Sequence, residues 1–80
     1  MITKNKGGEN MQERLWSLRR NSFKLSQQEV ADVLGITVQA YRNKEQGKNQ
    51  FTQDEMFMLS EFFKEPIDEI FLPRDKSINN

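Results

Sequence analysis

The chain has no cysteine and no histidine among its 80 residues. Thiol nucleophiles, disulfides, the usual zinc sites and imidazole general bases are excluded together, which argues against an enzyme and gives no reason to expect a cofactor, a metal or a small-molecule ligand. No apolar run approaches the roughly 18 residues of a membrane span, and the N-terminus lacks the apolar stretch of a signal peptide. The cytoplasm is therefore the expected compartment, with no membrane partner. Net charge is missing as well, with 12 Lys and Arg against 12 Asp and Glu. Phosphate binding usually leaves a basic signature, so a balanced chain at first argues against nucleic acid. The distribution reverses that: residues 1–51 carry nine basic against five acidic side chains and residues 52–80 carry three against seven, balances of +4 and −4. Such a molecule can present one end to a polyanion and keep the other away from it. The length allows one domain with a modest core, because a small domain buries only about 60% of its unfolded surface.

What is present centres on Leu25 to Gly47, LSQQEVADVLGITVQAYRNKEQG. Ser26 followed by Glu29 has the spacing of a capping box and opens a helix. Val30, Ala31 and Leu34 then fall on one face of a 3.6-residue period, and Gly35 supplies the left-handed residue that ends the helix in a sharp bend. Ile36 is the buried pivot. Thr37 caps a second helix that runs to about Gln46 before Gly47 stops it. In that helix Ala40 and Tyr41 are expected to face Val30 and Leu34, with the Tyr41 hydroxyl at the edge of the core. Val38, Gln39, Arg42, Asn43 and Gln46 point outwards. A Gln or Asn amide can bond adenine N6 and N7 together, and arginine can bond guanine O6 and N7, so this face carries the chemistry with which a major groove is read. A merely solvated helix would carry more Glu and Lys.

Leu25, Ser26, Gln27, Val30, Ala31, Leu34, Gly35, Ile36, Thr37, Tyr41, Glu45 and Gly47 resemble the helix-turn-helix of the Cro and phage-repressor (Xre-type) class of bacterial and phage regulators, and the match continues through Phe71. The resemblance implies an all-α, lambda-repressor-like domain, a compact bundle of about five short helices, and operator DNA as the partner. It implies further that Gln27 touches a phosphate and braces the reading helix, with Gln28 a weaker candidate for the same backbone. Val38, Gln39, Arg42 and Asn43 take the positions used for base and phosphate contacts. Lys48 and Asn49 follow in a loop that lies along the backbone. Val38 departs from the usual polar residue and offers only apolar contact to a thymine methyl. Lys44 departs too, standing where an apolar side chain often packs; its stem is expected to pack while its ammonium reaches towards phosphate. Arg19 matches the family's first-helix arginine and is expected to pair with Glu45, whereas Arg14 and Arg20 fit either a solvated face or phosphate. The link Ser22 to Lys24 also departs, since the family commonly has a glycine before the leucine and one residue fewer. Phe23 is expected to plug the core there.

Around this unit, residues 1–8 read as a flexible polar tail, residues 9–73 as the domain and residues 74–80 as a second flexible tail. The first helix is expected from about Glu9 to Asn21, with Met11, Leu15 and Leu18 as its core stripe and Trp16 half buried beside it. Phe51 anchors the loop. Thr52 and Glu55 make another capping box, opening a fourth helix to about Lys64 whose stripe is Met56, Leu59 and Phe63. Pro66 starts a short last helix to Phe71 and Pro73 ends it. Phe57, Met58 and Phe62 fall outside the stripe and, with Ile67, Phe71 and Leu72, make an apolar surplus that suits a homodimer contact. Two functions remain open at this point. One is a dimeric transcriptional regulator, a repressor of the kind encoded by phages and mobile elements; the other is a protein-interaction module of the same fold, antitoxin-like or an adaptor.

Overall fold

The structure, a computed structural model, describes residues 11–71. Five helices follow one another: α1 over Glu13–Ser17, α2 over Gln27–Leu34, α3 over Val38–Glu45, α4 over Gln53–Phe63 and α5 over Ile67–Ile70. There is no strand among the described residues, and no helix there is long and apolar enough to cross a membrane. The expected tails at 1–8 and 74–80, the expected helix start at Glu9 and Leu72 of the apolar surplus lie outside the described residues.

The caps form where the sequence places them. Ser26 Oγ accepts from the Glu29 amide at 3.0 Å while Glu29 Oε1 accepts from the Ser26 amide at 2.8 Å. Thr52 and Glu55 repeat this exchange ahead of α4, at 3.1 and 2.9 Å. Gly35 ends α2 at φ +73°, with open space where a Cβ would stand, so the conformation and not crowding demands glycine there. Thr37, two residues after Gly35, caps α3, its Oγ1 accepting from the Ala40 amide at 3.0 Å.

The core is assembled from every helix: Leu15 from α1 with Leu18 just after it, Val30, Ala31 and Leu34 from α2, Tyr41 from α3, Leu59 and Phe63 from α4, Ile70 from α5. Phe51 locks the loop before α4, its ring edge-on to Tyr41 at 6.0 Å and to Phe71 at 5.2 Å. Two members of the expected stripes are less deep than the rest. Met11 precedes the start of α1 and Met56 sits at the border of its face, and both are half buried. The last helix is shorter than expected, with Pro66 just outside it as the N-cap and Phe71 extended beyond it.

The departure at Ser22–Lys24 has a structural resolution. After Ser17 the helix continues as a π turn over Leu18–Ser22, in which the Phe23 amide reaches back five residues to the Leu18 carbonyl at 2.9 Å. A π turn closes on one residue more than an α turn, which is how the helix takes up the extra residue expected before Leu25. Lys24, next to Leu25, stands at φ +55°, a left-handed conformation to which glycine is better suited. Phe23 does not plug the core. It remains 40% exposed and packs edge-on to Phe63 at 4.8 Å, because Phe63 already fills the interior at that point.

Candidate nucleic-acid interface

Helix α3 is two-sided, and a buried charge cluster controls how it is held. Tyr41 and Glu45, one turn apart, face inwards and are essentially inaccessible. Glu45 accepts from Arg19 Nε at 2.8 Å and Arg19 Nη2 at 3.1 Å, from the Tyr41 hydroxyl at 2.7 Å and from Gln27 Nε2 at 2.9 Å. Arg19 Nη1 also donates to the Leu25 carbonyl at 2.9 Å. Three helices therefore meet at one carboxylate, and the loop before α2 is tied to it through Arg19. Burial alone would push the Glu45 carboxyl up, but the donors from Arg19, Tyr41 and Gln27 outweigh it and hold the group below the ordinary carboxylate range. The Tyr41 hydroxyl is driven upwards, first by burial and then by the bond it donates to Glu45, so it stays protonated. Contrary to expectation it does not sit at the core's edge: the phenol is wholly enclosed, because its partner is itself buried.

On the outer side the side chains form a connected row. Arg42 Nε donates to Gln27 Oε1 at 3.2 Å, Arg42 Nη1 to Gln39 Oε1 at 2.9 Å, and Gln39 Nε2 to Asn43 Oδ1 at 3.2 Å. Gln27, Gln39, Arg42 and Asn43 are thus brought together, continuous through Gln27 with the buried carboxylate. Gln39 is exposed, whereas Arg42 and Asn43 are half exposed. After Glu45 the chain turns through Gly47 at φ +87°, and the Lys48 and Asn49 amides close on the Asn43 carbonyl at 2.9 and 3.3 Å. This leaves both side chains exposed beside the C-terminal end of α3. Gln28 is exposed on α2, bonded to Asp32 at 2.8 Å, outside the connected row.

Two residues sit differently from the outward placement expected of them. Val38 is half buried and packs against the core, because it lies in the first turn of α3 where the helix closes on its neighbours. Lys44 does pack its stem, but its ammonium is held by both oxygens of Glu55 at 2.6 and 2.8 Å, with side chains only 15% and 11% exposed. Burial would raise the Glu55 carboxyl; Lys44 and the Thr52 cap together hold it low. That lysine ties α3 to α4 and does not reach outwards. Of the other arginines, Arg20 lies over the Trp16 ring at 5.1 Å and Arg14 stands 4.0 Å from Glu65.

The Gln27 bridge and the Lys44–Glu55 pair were not derivable from local spacing. Each joins residues on different elements, 15 to 18 positions apart for Gln27 and 11 for Lys44. A family model described as helix-turn-helix matches residues 17–70, more than half of the chain. No curated protein and no solved structure matches.

Proposed function

From a chain that belongs to the Cro/phage-repressor (Xre-type) helix-turn-helix family of DNA-binding regulators, we propose a sequence-specific repressor that reads operator DNA with α3 in the major groove. The observation that carries this is the connected row of Gln27, Gln39, Arg42 and Asn43. It is made of bidentate amide and guanidinium groups, and it is braced from below by a buried ion pair. Base readout requires donors and acceptors held in fixed directions, and this is what such a brace supplies. Lys48 and Asn49, exposed beside the end of α3, serve as backbone contacts, with Gln28 as a further one from α2.

A single reading helix covers only a few base pairs, too little to compete with the non-specific DNA of a genome. The functional unit on DNA is therefore a homodimer. Phe57, Met58 and Phe62 of α4 are 51%, 42% and 37% exposed, an unusual load of solvent-facing apolar surface, and half-buried Ile67 and Phe71 follow on α5 and just past it. A two-fold contact through these residues doubles the readout. The same patch favours the second reading, a protein-interaction module that meets a different chain.

Binding to random duplex as a function of salt separates the two. A DNA-binding protein loses affinity steeply as salt rises, through counterion release. Sedimentation of a saturated complex with a single operator should give two chains per duplex. A salt-independent or undetectable interaction with DNA would favour the interaction module instead.

A further inference from the structure

Two contacts of Gln27 connect the buried ion pair to the outer face of α3. Its Nε2 donates to Glu45 Oε1 at 2.9 Å, and its Oε1 accepts from Arg42 Nε at 3.2 Å. The chemistry of those neighbours leaves the amide one orientation. An ionised carboxylate only accepts and a guanidinium only donates, so the NH2 end must face Glu45 and the carbonyl must face Arg42. Turned by half a rotation, the amide would oppose acceptor to acceptor and donor to donor and lose both bonds. Glu45 in turn is fixed by Arg19 and Tyr41.

We propose that Gln27 is a positioning residue that sets sequence preference by aiming Arg42, passing the polarity of the buried Arg19–Glu45 pair out to the reading face. This rests on α3 being the DNA-reading helix, as proposed above. The consequence for Arg42 is specific. Its Nε is taken by Gln27 and one Nη1 hydrogen by Gln39, which leaves three of the five N–H groups. A side-on grip on guanine, made by Nε with Nη2, is closed. An end-on grip on O6 and N7 through Nη1 and Nη2 stays open, since Nη1 carries a second hydrogen and the exposed Gln39 can turn aside. Pinning the guanidinium before DNA arrives also lowers the rotamer entropy lost on binding. Position 27 therefore has to donate to one neighbour and accept from the other, a requirement that a plain phosphate contact would not impose.

The test has a part without DNA and a part with it. In the free protein the Arg42 Nε–H should exchange slowly with water, and Gln27→Met, which keeps the length but not the polarity, should remove that protection. In binding, sites are first selected from a random DNA pool with the unaltered chain. Gln27→Met should then lower the preference for guanine at the position facing Arg42 by about tenfold, the scale of one bidentate base contact. In an Arg42→Ala background the same change should have no further effect on preference. Gln27→Glu retains an acceptor for Arg42 but cannot donate to Glu45 and sets a second carboxylate against it, so it should lose both stability and the guanine preference. Unprotected Arg42 Nε–H in the unaltered chain would overturn the proposal without reference to DNA. So would an equal loss of preference for Gln27→Met in both backgrounds, which would make Gln27 a direct DNA contact. A protected Nε–H in a chain that prefers no DNA sequence would overturn the reading role of α3, and the aiming role with it.

Discussion

Arg19 and Glu45 stand 26 residues apart in the chain and meet through two hydrogen bonds, at 2.8 and 3.1 Å, with side chains only 6% and 1% exposed. Removing one member of such a pair leaves the other charge buried without its partner, which typically costs 3–5 kcal/mol, on the order of the whole stability of a small domain. Arg19→Met is therefore expected to unfold much of the protein at room temperature. Tyr41→Phe, which removes only the hydroxyl donor to the same carboxylate, should cost about 1.5–3 kcal/mol, and Tyr41→Ala about 3–5 kcal/mol. Urea denaturation gives all three, and a midpoint for Arg19→Met close to that of the unaltered chain would contradict the coupling.

Acid should act through the same carboxylate. Glu45 and Glu55 are both held below their ordinary range in the folded state. The unfolded chain therefore binds protons first as pH falls, and stability declines through the interval from about pH 5 downwards. Above that interval the contribution is fully present, and with no histidine in the chain no side chain of ordinary pKa titrates between about pH 6 and 8. Unfolding midpoints should thus be level from pH 6 to 8 and fall below pH 5. A midpoint that rises on acidification would show the sign to be wrong.

Lys44 and Lys48 are four residues apart but should behave differently on DNA. The Lys44 ammonium is engaged by Glu55, whereas Lys48 is exposed beyond the end of α3. Lys48→Ala should reduce the slope of log affinity against log salt by about one and weaken all sequences alike. Lys44→Met should leave that slope nearly unchanged and lower thermal stability. The reverse pattern would return Lys44 to the backbone contacts.

Lys24 holds a left-handed conformation at φ +55°, which costs a residue with a side chain roughly 1–2 kcal/mol. Lys24→Gly should relieve that strain and offset the extra flexibility glycine gives to the unfolded chain, for a net gain of up to about 1 kcal/mol. Loss of stability in this variant would mean that the lysine side chain, which donates to the Asn21 carbonyl at 3.3 Å, contributes more than the strain costs.

Much of the fold was legible because its signals are local. Ser26 with Glu29, Thr37, Thr52 with Glu55 and the glycine at 35 each act within one turn, and the apolar period assigns Val30, Leu34, Leu59 and Phe63 to the core. The Arg19–Glu45 pair was reached only through the family resemblance, since nothing in the spacing joins those two positions. Phe23 and Lys44 sit elsewhere than expected for the same physical reason. Where an amphipathic or spare apolar side chain points depends on which neighbours already fill the space, here Phe63 and Glu55, and periodicity carries no such information. The π turn was hidden as well: the sequence shows an extra residue, but not whether a loop or the helix takes it up.

Whether the braced face of α3 reads base sequence is decided by selecting bound sites from a random duplex pool with the unaltered chain and with Arg42→Ala and Gln39→Ala. The expected result is enrichment of one near-palindromic site with half-sites about one helical turn apart, carrying a guanine whose preference collapses in Arg42→Ala by roughly 1–3 kcal/mol while binding to unrelated duplex is little changed. A pool that returns no enriched site, or one whose enrichment is the same for all three proteins, would contradict it.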